Sequence, residues 1–237
     1  MLLAPQNLPE NVREVKARIA GACTQCGRSV DSVTLVAASK SWPPNVLEEA
    51  ASAGIVHFGE SYVQEALGKL EALAGMGLTW HFIGQVQANK SRHIAESFSW
   101  VHGLDRLRTA QRLSAQRPYY APALNVCIQV NLAGEATKGG VAPGELPALA
   151  AAVAELPRLA LRGLMCLPPA EEEISRQRRW FALLRQLFEE LNAEGAGLDT
   201  LSMGMSADLE AAVMEGATMV RVGTALFGPR PTAATPT

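Results

Sequence analysis

Short unbroken apolar runs alternate with longer amphipathic stretches along most of the chain. The runs fall at residues 33–39, 55–59, 80–83, 100–103, 124–130, 160–166, 200–203 and 219–222. Their length and unbroken apolar character predict strands buried on both faces, as in a parallel sheet. Between them, apolar residues recur at helical spacing over 46–53, 62–74, 90–96, 106–117, 143–156, 173–194 and 207–215. A further helix is predicted ahead of the first strand, over 8–22, with Val12, Val15 and Ile19 on one face. Pro43, Pro44, Pro143 and Pro147 fall near helix starts, where the missing amide donor matters least.

Eight strands, each followed by a helix, is the count that closes a parallel barrel. The pattern therefore predicts an α/β fold of the (β/α)8 TIM barrel class, preceded by an extra N-terminal helix. An open doubly wound sheet is the alternative, but it would carry a glycine-rich turn after its first strand. Ser39-Lys40-Ser41-Trp42-Pro43 is nothing like one. One barrel domain is expected over 1–230, followed by a Pro/Thr/Ala tail at 231–237 that is expected to be disordered.

Composition narrows the function classes. A hydrophobic fraction of 48% over 237 residues supports a substantial core and excludes a disordered chain. A net charge of −2 gives no electrostatic signature of a nucleic-acid or membrane partner. No apolar stretch approaches the roughly 20 residues that span a bilayer. Met1-Leu2-Leu3-Ala4-Pro5 lacks the basic flank and apolar core of a secretory signal, so a cytoplasmic location is expected. Cys23 and Cys26 form a CxxC without a second ligand pair or redox unit, and read as two helix residues one turn apart. Cys127 and Cys166 sit singly in predicted strands as buried thiols. The histidines, His57, His81, His93 and His102, are scattered over separate units, so no metal site is expected.

In such a barrel the chemistry belongs at the carboxyl ends of the strands. Lys40 stands at the end of the first. A lone amine there is poorly solvated, and desolvation favours its neutral, nucleophilic form. Two readings are open: a Schiff base with a carbonyl cofactor, or a side chain that snorkels to water. Near the other end of the chain, Ser206 precedes a helix and Gly223-Thr224 opens a short one. Either alone is an ordinary cap. On adjacent loops after strands seven and eight, together they predict a phosphate site. Arg221 alternates with Val220 and Val222, so it points to the opposite side of its strand. A charge there needs a buried carboxylate or a ligand ring nitrogen, and the residues alone leave both open.

Several segments taken together resemble the pyridoxal-phosphate homeostasis protein family. They are Leu35-Val36-Ala37-Ala38-Ser39-Lys40, His57-Phe58-Gly59-Glu60-Ser61-Tyr62-Val63-Gln64-Glu65, Trp80-His81-Phe82-Ile83-Gly84 and Ser202-Met203-Gly204-Met205-Ser206, with 220–228 at the end. The resemblance implies a barrel like the N-terminal domain of alanine racemase, binding pyridoxal 5'-phosphate (PLP) as a Schiff base on Lys40. It implies that Ser206, Gly223 and Thr224 hold the phosphate, that Arg221 faces the pyridine nitrogen, and that Ser202 and Met203 line the pocket. A cationic partner at that nitrogen leaves it unprotonated and weakens the ring as an electron sink, which suits a carrier rather than an enzyme. The chain departs from the family pattern at Ser61, Gly103 and Ala133. Ser61 replaces an asparagine, and its shorter side chain is expected to reach a ligand only through water.

The implied function is non-catalytic: PLP is held and buffered, then passed to apo forms of PLP-dependent enzymes, and a monomer is expected. A racemase is the competing class. It needs a second acid or base facing the lysine, and Tyr62, Tyr119 and Tyr120 are expected away from strand ends, with Cys166 and His81 in the core. A sugar-phosphate aldolase would use Lys40 similarly, with Glu60 the only acidic relay in view.

Overall fold

The computed structural model describes residues 7–135 and 138–229, and the tail expected at 231–237 lies outside them. The strands are β1 (Thr34–Ala38), β2 (His57–Glu60), β3 (Thr79–Phe82), β4 (Trp100–Leu104), β5 (Leu124–Val130), β6 (Leu159–Cys166), β7 (Thr200–Ser202) and β8 (Met219–Val222). They pair in parallel in sequence order, and β8 returns to β1, closing the ring. The helices among the described residues are α1 (Leu8–Gln25), α2 (Pro44–Ser52), α3 (Val63–Ala72), α4 (Ser91–Ser97), α5 (Leu107–Gln116), α6 (Leu146–Ala154), α7 (Ile174–Ala193), α8 (Leu209–Met214) and α9 (Thr224–Phe227). The barrel and the leading helix are those the apolar periodicity predicts.

One boundary differs for a clear reason. The second strand was expected from Ile55 but pairs only from His57. Gly54, at φ +86°, turns the chain out of α2, and the Ile55 amide bonds back to Ala50 O at 3.1 Å. Ile55 thus closes a helix end and is not a strand residue.

Side-chain alternation splits the core in two. Phe58, Phe82, Val101, Ile128, Val220 and Val222 belong to a large cluster that also holds apolar residues of the helices. Val36, Trp100, Cys127, Met165 and Met219 form a small one inside the ring. Further along the interior faces, His81, His102, Ser202 and Arg221 replace apolar side chains, and all four are buried. The ring is therefore oily on the outside and polar toward its upper centre.

The seam between β7 and β8 is thinly paired, through Ser202 and Met219. α1 braces it from outside. Arg18 donates to Glu210 at 2.6 and 2.8 Å and to Ser206 O at 2.9 Å, while Asn11 donates to Leu226 O of α9 at 2.8 Å.

Candidate functional site at the barrel mouth

Lys40 lies two residues past β1 in a tight turn. Charges from the next unit grip the turn on both sides. Lys69 of α3 donates to Ser39 O at 2.9 Å, to Glu60 Oε1 at 2.7 Å and to Glu65 Oε1 at 2.5 Å. The Ser39 hydroxyl donates to Glu60 Oε1 at 2.6 Å, and the Ser41 amide donates to Glu65 Oε1, also at 2.6 Å. Ser41 has φ +71°, a conformation L residues rarely adopt and one that persists only where its surroundings enforce it. Glu60 is fully buried and Lys69 is 3% exposed. Burial pushes the Glu60 carboxyl above the usual range, outweighing the pull of Lys69 and Ser39 in the other direction. Fully buried and bonded to Lys69 and to the Ser39 hydroxyl, Glu60 braces the turn and makes a poor acidic relay for aldolase chemistry.

Lys40 opens into a pocket of about 280 Å³ whose walls include Ser61, Ser206, Arg221, Gly223 and Thr224. The volume sits near the lower end of small-ligand sites, about 300–1,000 Å³. Five of the seven residues named from sequence therefore meet: Lys40, Ser206, Arg221, Gly223 and Thr224. Gly223 lets β8 lie close to β1, since a Cβ there would come within 3.3 Å of Ala38 O. Ser206 does not cap α8: Asp208 holds that position, and the Ser206 hydroxyl accepts from the Ala225 amide at 3.1 Å, tying the last two loops together.

The other two named residues do not line the pocket. Consecutive strand positions face opposite ways, so Ser202 and Met203 do not share a wall. Met203 is fully buried in the outer cluster with Leu209 and Val213 of α8. Ser202 lies inside the ring, where its hydroxyl accepts from Arg221 Nη1 at 2.6 Å. Arg221 Nη2 donates to Cys166 O at 2.9 Å. Its anchors are thus a hydroxyl and a carbonyl, with no carboxylate in direct contact among the described residues, and the guanidinium still reaches the pocket wall. Tyr62, expected away from strand ends, follows β2 by two residues and lines a neighbouring pocket with Gln64, Gln85 and Lys90. Tyr119 and Tyr120 are exposed between α5 and β5.

Three of the four histidines that looked scattered, His57, His81 and His102, stand on consecutive strands. His57 Nδ1 lies 3.0 Å from His81 Nε2, His81 Nδ1 lies 2.9 Å from His102 Nε2, and His102 Nδ1 lies 2.7 Å from Ser202 Oγ. Sequence reading gave His81 to the core and missed its partners. The available signal was parity: in β3 and β4 these polar residues share the inward face with Trp100. Burial lowers all three from the ordinary histidine value, His102 to about 3. The unfolded chain takes up a proton below about pH 6.5 that folded His102 refuses, so its stability contribution is lost as pH falls. We expect this residue to cost about 2 kcal/mol between pH 7 and pH 5. Urea unfolding at both pH values should show the loss, and a His102→Gln chain should lack that part of it.

Burial pushes the Cys127 and Cys166 thiols up to about 12, which leaves them inert. Cys23 is buried in α1, and Cys26 donates to Ala22 O at 3.2 Å. No helix among the described residues is long and apolar enough to cross a membrane.

The family model for the alanine racemase N-terminal domain matches residues 5–231. The pyridoxal phosphate homeostasis protein of Pseudomonas aeruginosa is 57% identical over 223 residues, 94% of this chain and 96% of that one. The structure of PipY from Synechococcus elongatus with PLP bound is 37% identical, with a TM-score of 0.80 over 90% of this chain and all of that one. Alanine racemase of Clostridium difficile, 15% identical, shares the fold at a TM-score of 0.73 over 96% of this chain and 58% of its own. With the barrel, the lysine turn and these likenesses in agreement, the chain belongs to the pyridoxal phosphate homeostasis protein family.

Proposed function

We propose that this protein binds PLP on Lys40 and serves PLP homeostasis as a non-catalytic holder of the cofactor. The observation that carries the reading is the shared pocket: Lys40 and Arg221 face one space with Ser206, Gly223 and Thr224. A pyridine ring with an aldehyde at one corner and a phosphate at another asks for an amine, a donor at the ring nitrogen and an anion cradle. PLP supplies an aldehyde that condenses reversibly with a primary amine, losing water. Lys40 supplies that amine, held in register by Ser39 and Ser41. Ser206 and Thr224 offer hydroxyls to the phosphate, with Gly223 allowing close approach. Arg221 offers N–H to the ring nitrogen and keeps it unprotonated, so carbanion chemistry is discouraged. Release to apo-enzymes follows from the reversibility of the Lys40 link.

The racemase reading is weaker because no tyrosine among the described residues lines the Lys40 pocket. The test is spectroscopic. The purified protein loaded with PLP is expected to absorb at a wavelength distinct from free PLP, and borohydride should fix one cofactor mass onto the Lys40 peptide. Lys40→Ala should lose both signals. A retained band in that variant, or exchange of the alanine α-proton at enzymatic rates, overturns the proposal.

A further inference from the structure

The histidine series has a direction, and Ser202 sets it. Arg221 has donors only, so its 2.6 Å contact makes the Ser202 oxygen an acceptor. The Ser202 side chain is fully buried, and the other partner of its hydroxyl is His102 Nδ1 at 2.7 Å. Were that nitrogen protonated, two N–H groups would point at one oxygen and leave the hydroxyl proton unplaced in a buried site. His102 Nδ1 is therefore bare, and its single proton sits on Nε2. That proton faces His81 Nδ1 at 2.9 Å, which must then accept, leaving the His81 proton on Nε2. It faces His57 Nδ1 at 3.0 Å in turn. A cationic ring at His81 or His102 would set two donors against each other, and burial disfavours the charge at both. The strand register makes the path climb: Gly59, two residues beyond His57, pairs with His81, and Trp100, two residues before His102, pairs with it as well. The lower end, His57, lines a second pocket beside Lys16, Asp31 and Thr34 at the opposite face of the barrel.

We propose that His102 is a positioning residue for the pyridine-nitrogen contact: backed by His81 and His57, it fixes the Ser202 hydroxyl as the acceptor that holds Arg221 against the pocket wall. His102 is not among the residues that line the pocket; it acts through two intervening side chains, Ser202 and Arg221. The positioning role rests on the PLP reading, whereas the direction of the series does not, and the two are tested separately.

On the cofactor-free protein, long-range proton–nitrogen spectra of the imidazoles are expected to show His57, His81 and His102 neutral, each with its proton on Nε2. A proton on Nδ1 of His102 overturns the proposal whatever the protein binds. For the second arm, PLP affinity and the pH midpoint of the bound absorption band are measured in two variants. His102→Leu approximates the bulk and removes the acceptor. His102→Asn is smaller, yet its amide oxygen takes the Nδ1 place. The leucine variant is expected to bind PLP about tenfold more weakly with a displaced midpoint, and the asparagine variant to stay within about threefold of the parent. Equal losses in both mean that His102 merely fills space, and overturn the positioning role. If the parent itself fails to bind PLP, the functional reading falls and the positioning role with it, while the spectra still decide the direction of the series.

Discussion

Replacing Lys69 by methionine is expected to lower folding stability by about 3–5 kcal/mol, the usual penalty for removing one partner of a buried ion pair. Lys69 is the only cation bonded to Glu60 among the described residues, and Glu60 Oε2 already lies buried there without a hydrogen-bond partner. Methionine fits the length of the lysine stem but leaves the Glu60 charge facing Glu65 with nothing between them. It also frees Ser39 O, so the turn carrying Lys40 loses one of its anchors. A domain with about 5–15 kcal/mol in hand would spend much of its margin. Urea unfolding measures the loss, and the double variant Glu60→Gln with Lys69→Met should recover part of it by removing the stranded charge. If Lys69→Met costs under about 1 kcal/mol, the cluster is no more than a surface-grade ion pair.

Gly163→Ala is expected to be as damaging for a steric reason. A Cβ at Gly163 would collide with Thr200 O and lie 2.6 Å from Thr200 C, both main-chain atoms of β7. No rotamer relieves such a contact; the strands must part. β7 is three residues long and carries Ser202, the anchor of Arg221. Parting β6 from β7 therefore breaks the ring and loosens the pocket wall together. We expect a loss of about 4 kcal/mol or more, in the range reserved for such backbone conflicts. Denaturation should show it, and a chain within about 1 kcal/mol of the parent would mean that the strands part cheaply.

The fold was legible because two periodicities repeat eight times, and each barrel unit buries its strand and helix in the same way. That Lys40, Ser206, Arg221, Gly223 and Thr224 line one pocket was legible because they stand at strand ends, and placing them needs only the rule that those ends share a face. Met203 was misplaced because family motif letters were read without their alternation. The Glu65–Lys69 pair has helical spacing, but its tie to Glu60 crosses from helix to strand, and periodicity says nothing about that. The histidines escaped because curvature, which brings β2, β3 and β4 round toward β7, is a property of the closed ring and of no local segment.

The pocket draws on distant parts of the chain, with Lys40 after β1 and Ser206, Gly223 and Thr224 after β7 and β8. As the polypeptide leaves the ribosome, the amine emerges early and waits for most of the remaining translation before its counterpart exists. A nascent chain stopped short of Thr224 carries Lys40 without the opposite wall of its pocket. The pocket thereby exists only once synthesis has run through β8.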